Sequence, residues 1–106
     1  MLTLSTHILD TSTGTPASGV NVELRDAVGG LVAEAATDGD GRIKDWDAVL
    51  VPGTYTAVFH TAAYFHAHGQ TGFYPKISVE FSVTDGRHYH VPLLLSPYGY
   101  STYRGS

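Results

Sequence analysis

The sequence predicts an all-β fold, two sheets stacked as a sandwich of roughly seven or eight short strands, with one short helix. Three observations carry this. Apolar residues recur at alternate positions in short runs, the period of a half-buried strand. Turn formers interrupt the runs at roughly eight to twelve positions, and 12 glycines with 5 prolines supply many of them. Helix-forming composition is confined to one stretch, Thr61 to Gly69.

The first run sets Leu2, Leu4, Thr6 and Ile8 against Thr3, Ser5 and His7, and it closes in Asp10-Thr11-Ser12-Thr13-Gly14, residues that bond their own backbone. Val20, Val22 and Leu24 alternate next. Val28-Gly29-Gly30 turns the chain into Leu31 to Thr37. Asp38-Gly39-Asp40-Gly41 reads as a hairpin turn, its glycines permitting positive φ. From Arg42 to Val51, a weaker run with the single tryptophan reads as a short edge strand ending at Pro52-Gly53. Thr54 to Phe59 alternates again. The alanines and closing glycine of Thr61 to Gly69 predict a two-turn helix. Ile77, Val79, Phe81 and Val83 give the cleanest alternation, Thr84-Asp85-Gly86 turns it, and Tyr89, Val91, Leu93 and Leu95 return, so these two strands read as a hairpin. Ser96 to Ser106 supplies a short last strand.

Composition excludes several classes. At 106 residues the chain is one domain, 1–106. A domain of this size buries only about 60–70% of its unfolded surface, which makes self-association an early expectation. Charged residues make up 15% and apolar ones 42%, a balance too poor in charge for a disordered chain. A net charge of −4, with 6 Lys and Arg scattered along the chain, provides no basic stripe for nucleic acid. The absence of cysteine excludes disulfides, thiolate zinc sites and thiol catalysis. No apolar run approaches ~18 residues, so no membrane span is expected. The first residues lack the basic and apolar parts of a signal peptide, which predicts a cytoplasmic protein.

Strand parity places the histidines. If Leu2, Leu4 and Ile8 claim the core, Ser5 and His7 lie on the outer face; if Tyr89, Val91, Leu93 and Leu95 claim it, His88, His90, Pro92 and Leu94 lie outside. Should the two strands be neighbours, His7 and His90 share one patch, and imidazoles that titrate near neutrality beside an arginine form a hydrolytic set. Solvated surface histidines are the competing account. Leu94 on that face points to cover by another subunit. The His66/His68 and His88/His90 pairs lack a third ligand at metal spacing, and His66 and His68 would stand about 200° apart on a helix. Asp38 to Gly41 resembles the start of a calcium loop, but Val49 stands where the closing acid belongs. No phosphate loop and no serine nucleophile elbow occurs.

The C-terminal segment is more specific. His88-Tyr89-His90-Val91-Pro92-Leu93-Leu94-Leu95-Ser96-Pro97-Tyr98-Gly99-Tyr100-Ser101-Thr102-Tyr103-Arg104-Gly105-Ser106 resembles the end of the transthyretin-like 5-hydroxyisourate hydrolases, Tyr103 to Ser106 being their signature tetrapeptide. Leu4-Ser5-Thr6-His7-Ile8-Leu9-Asp10, Asp40-Gly41-Arg42, Pro52-Gly53-Thr54-Tyr55 and Phe73-Tyr74-Pro75 are similar to theirs too, in order along the chain.

The resemblance implies a transthyretin-like sandwich of two four-stranded sheets, a homotetramer with active sites at the dimer–dimer interface, and hydrolysis of 5-hydroxyisourate to 2-oxo-4-hydroxy-4-carboxy-5-ureidoimidazoline in urate breakdown. It implies no metal and no organic cofactor. His7, Arg42, His90, Tyr103 and Ser106 fall on catalytic positions, and Arg104 and Gly105 join His7, Arg42, His90 and Tyr103 in holding substrate. Either histidine could be the base, since two interacting imidazoles titrate together. The same sandwich also serves as a small-molecule carrier in transthyretin itself, so fold alone leaves a carrier as the alternative. The two histidines, Arg42 and the terminal tetrapeptide favour the enzyme.

Overall fold

In the computed structural model, which describes residues 3–44, 46 and 50–105, alternation on the first strand does what parity predicts. Strand β1 (Thr3–Asp10) buries Leu4, Thr6, Ile8 and Asp10 and leaves Thr3, Ser5, His7 and Leu9 half-covered on the other side. Leu2 and Ser106 lie outside the described residues, as do four positions of the run from Arg42 to Val51. There follow β2 (Thr15–Pro16), β3 (Asn21–Arg25), β4 (Leu31–Ala36), β5 (Arg42–Ile43), β6 (Gly53–Phe59), α1 (Thr61–Ala67), β7 (Ile77–Val83), β8 (His88–Ser96) and β9 (Gly99–Thr102).

Two sheets stack. One runs β2-β1-β8-β9, with β5 also paired to β1; the other is antiparallel throughout, in the order β4-β3-β6-β7. The first sheet therefore has five strands where the resemblance implied four, because two-residue β2 and β5 divide one edge of β1 between them. β2 pairs at Leu9 and Asp10, and β5 at Thr6 and His7. Strands β1 and β8 run parallel and are the longest contact in the fold, from Thr3 opposite His88 to Asp10 opposite Leu95. Between the sheets, Ile8, Leu24, Phe59, Phe65, Ile77, Leu93 and Leu95 are almost wholly buried. Each such side chain contributes about 1.5–3 kcal/mol.

Two sequence expectations need correction. Strands β7 and β8 do not form a hairpin: β7 pairs with β6 in one sheet, and β8 with β1 and β9 in the other. The turn after Val83 carries the chain across the sandwich, and Tyr89 fastens it. Its Oη accepts from the amides of Thr84 (2.9 Å) and Asp85 (3.1 Å) and donates to the Asp85 carboxylate (2.9 Å). Asp38 to Gly41 is likewise a tight turn but not a hairpin, since it links β4 of one sheet to β5 of the other. The Asp38 carboxylate organises it by accepting from the amides of Asp40 and Arg42, both at 2.9 Å. Gly41, at φ 72°, passes close under β1: a Cβ there would stand 2.5 Å from the Ile8 carbonyl oxygen.

The expected helix is α1. No side chain caps its start; instead the Pro75 carbonyl accepts from the Ala62 amide (3.0 Å), and Thr61 Oγ1 donates to the Tyr74 carbonyl (2.8 Å). Gly69, at φ 69°, ends it. Its buried side is pinned through the core, where Tyr64 Oη donates to Asp10 Oδ2 at 2.8 Å. Burial alone would raise the Asp10 carboxyl, but bonds from Ser12 and Tyr64 hold it below the usual carboxylate range. Burial and the adjacent carboxylate push Tyr64 up to about 12.

Candidate active site

The parallel pairing of β1 with β8 brings the two histidines to one face. Ser5 stands opposite His90 and His7 opposite Pro92, so His7 and His90 are diagonal neighbours outside the sandwich. Strand β5 adds Arg42, the register partner of His7 on the other side of β1, and partners in an antiparallel pair project to the same face. A hollow of about 310 Å³ opens here, lined by Ser5, Thr6, Arg42, Ile43, Lys44 and His90.

His90 is the most constrained of these groups. Its Nδ1 lies 2.7 Å from Ser5 Oγ. Behind it, Gly105 donates its amide to the His90 carbonyl at 2.9 Å. The approach is so close that a Cβ on Gly105 would fall 2.4 Å from the ring Cδ2. This is why the terminal tetrapeptide needs its glycine: the imidazole occupies the space of a side chain. Desolvation lowers the His90 pKa, and the neighbouring Arg42, His7 and His88 lower it further, which favours the neutral ring.

A second hollow of about 280 Å³ lies on the other side of His90, where Val79, Phe81, Val91, Tyr103 and Arg104 form its walls. The Arg104 guanidinium sits 4.8 Å above the Tyr89 ring centre, a cation–π contact that fixes its head group. Tyr103 is 58% exposed. Of the sequence candidates, His7, Arg42, His90 and Gly105 thus gather on one face, Tyr103 and Arg104 flank His90 from the second hollow, and Ser106 falls outside the described residues.

Sequence reading assigned no role to Ser5, His88 or Lys44. Ser5 and His88 share the parity of His7 and His90, which was the available signal, whereas nothing in the residue pattern placed Lys44 in the hollow. Among the described residues, no three His, Asp or Glu side chains cluster closely enough to hold a metal ion. His68 of the other pair has its Nδ1 engaged by the Tyr64 carbonyl at 2.8 Å.

Fold and site together define a transthyretin-type β-sandwich that carries a histidine–arginine pocket on the outer face of one sheet. Solved structures agree. A Klebsiella pneumoniae 5-hydroxyisourate hydrolase superposes with a TM-score of 0.91 at 44% identity, covering 98% of this chain and 99% of that one. Sea bream transthyretin in complex with thyroxine superposes with a TM-score of 0.87 at 34% identity, covering 96% and 93%. The chain belongs to the HIUase/Transthyretin family, whose profile matches residues 4–105. A 5-hydroxyisourate hydrolase of Salmonella dublin is 50% identical over 97% of this chain and 80% of its own length.

Proposed function

We propose that this chain hydrolyses 5-hydroxyisourate to 2-oxo-4-hydroxy-4-carboxy-5-ureidoimidazoline by histidine-assisted attack of water on the lactam carbonyl. The observation that carries the reading is the pairing that sets His7 beside Arg42 and diagonal to His90 on one sheet face, where Arg42 and His90 line a hollow, in a chain half identical to a Salmonella enzyme of that name. His90, neutral and hydrogen-bonded through Nδ1, accepts the proton of the attacking water. His7 beside it shares the proton traffic and protonates the leaving nitrogen. The planar fork of Arg42 binds the flat, anionic heterocycle and the charge that develops on the carbonyl oxygen. Tyr103 and Ser106 order water and imidazole through their hydroxyls, and Arg104 holds the far edge of the substrate. No step calls for a metal or an organic cofactor.

We infer a homotetramer with sites at the dimer–dimer interface. Leu9 and Leu94, both half-buried in the single chain, make the outer face apolar beside the histidines, as a surface covered by another subunit would be. The complex would run in size-exclusion chromatography with light scattering at about four times 11.3 kDa.

The test follows the ultraviolet decay of freshly generated 5-hydroxyisourate. Native protein accelerates it, and His7→Asn, His90→Asn and deletion of Tyr103 to Ser106 each cost roughly 10²–10⁴-fold, the usual worth of acid–base groups. Full rate in all three variants overturns the assignment. The similarity to sea bream transthyretin, solved with thyroxine, favours a carrier as the second reading. A carrier would bind an iodinated aromatic ligand and leave the decay at its background rate.

A further inference from the structure

The outer face of the first sheet carries a row of four polar side chains in unbroken contact. Thr3 Oγ1 lies 2.5 Å from His88 Nδ1, His88 Nε2 lies 2.8 Å from Ser5 Oγ, and Ser5 Oγ lies 2.7 Å from His90 Nδ1. Thr3 and His88 are register partners at the first positions of β1 and β8, so the row runs from the end of the sheet inward to His90. His88 is exposed and His90 is half-buried. A serine hydroxyl has one hydrogen and two acceptor lone pairs, so a row in which Ser5 donates to one imidazole and accepts from the other runs in one of two directions.

The direction decides what His90 can do. With His88 neutral and its hydrogen on Nδ1 toward Thr3, its Nε2 accepts from Ser5; Ser5 then accepts from His90 Nδ1–H, and His90 Nε2 carries a free lone pair. With His88 protonated, both its nitrogens donate. Ser5 then accepts from His88 and its own hydrogen is free for His90 Nδ1; donated there, it places the hydrogen of a neutral His90 on Nε2. We propose that Ser5 and His88 are positioning residues that set the tautomer of His90: neutral His88 leaves Nε2 able to accept a proton, and protonated His88 reverses the row and caps that nitrogen. The reversal adds one proton, at His88. His90 neither gains nor loses one, its hydrogen moving from Nδ1 to Nε2 through water.

The proposal rests on the hydrolase reading, in which His90 Nε2 takes the proton of water. The other titratable or charged groups around His90 are His7 on β1, Arg42 on β5, Lys44 just beyond it, Glu80 on β7 and Tyr89 on β8 in the lining of the second hollow, and Tyr103 and Arg104 near the chain end. Their electrostatics and the tautomer mechanism make opposite demands on the variant His88→Asn. Loss of a positive neighbour alone raises the His90 pKa and moves the acid limb of kcat to higher pH. Loss of the tautomer control moves that limb to lower pH, because only the depressed titration of His90 itself then removes the base. Its slope also falls from near two toward one.

The experiment measures kcat against pH for native protein, His88→Asn, Ser5→Ala and Ser5→Thr. It also reads the His90 tautomer from nitrogen-15 shifts across the same range. The expected results are a lower acid limb in His88→Asn, a loss of about tenfold in kcat in Ser5→Ala, restoration to within about threefold in Ser5→Thr, and a shift of His90 from Nδ1–H to Nε2–H as His88 titrates. An acid limb that rises or stays in His88→Asn, or a tautomer indifferent to His88, overturns the proposal. If native protein gives no rate above background, the hydrolase reading fails by itself, and the nitrogen-15 titration still decides the tautomer question.

Discussion

Gly105→Ala tests the site at its tightest point. The added methyl would stand 2.4 Å from His90 Cδ2 and 3.1 Å from Cγ, whereas carbon atoms rest at about 3.5–4.0 Å. Ring or strand must therefore yield by roughly 1 Å. Gly105 is not among the glycines at positive φ, so alanine brings no backbone strain there and the collision is isolated. A displacement of that size stretches the 2.7 Å contact between Ser5 Oγ and His90 Nδ1 beyond hydrogen-bond range. Misplacing a reacting group by about 1 Å costs on the order of 10²-fold in rate, and overpacking costs about 1–3 kcal/mol in stability. Initial rates of 5-hydroxyisourate decay read the first effect and urea unfolding reads the second. In a His90→Ala background the ring atoms are gone and only the Cβ of residue 90, 3.3 Å away, remains of the three nearest atoms, so most of the stability cost should vanish. A rate within about threefold of native, or an unfolding cost that persists without the imidazole, refutes the reasoning.

Tyr64→Phe should cost about 1–3 kcal/mol in urea unfolding, because it strips a buried carboxylate of a partner while leaving the ring's packing intact. The native protein should also lose stability as pH rises from 10 to about 12. In that window the unfolded tyrosine ionises while folded Tyr64 holds its proton, and the Tyr64→Phe variant should lose less. At the acid end the sign is opposite: Asp10 stabilises the fold above its ordinary value near 3.8, and that contribution fades as pH falls below it. Gly41→Ala should destabilise by more than about 1 kcal/mol in the same assay, since it combines positive φ with a Cβ 2.5 Å from the Ile8 carbonyl.

Legibility in the sequence stopped where pairing began. The alternation of Leu4, Thr6 and Ile8, and of Tyr89, Val91, Leu93 and Leu95, determined which residues face the core, and so put His7 and His90 outside. Parity cannot name a strand's neighbour. Val79 and Phe81 beside Tyr89 and Val91 read as a hairpin because alternation across a short turn looks the same whether the chain returns in one sheet or crosses to the next. The crossing is decided by Tyr89 Oη reaching back to the turn, a contact that depends on three-dimensional placement. Asp10 was legible as the head of a self-bonded turn, through Ser12. Its burial against a helix tyrosine 54 positions away was not. Arg42 is tied to the site by family resemblance alone, since a two-residue strand carries no periodicity.

The parallel union of β1 with β8 also bears on the order of folding. Ser5 and His90 are 85 positions apart, so the loop that joins them is among the costliest in the chain to close. A nascent polypeptide halted after β7 would hold every residue of the antiparallel sheet, yet its β1 would have no neighbour on the β8 side and His7 no counterpart. Catalytic competence then arrives in a single late event, once β8 has been made, and amide protons along β1 and β8 should exchange only when the whole domain opens.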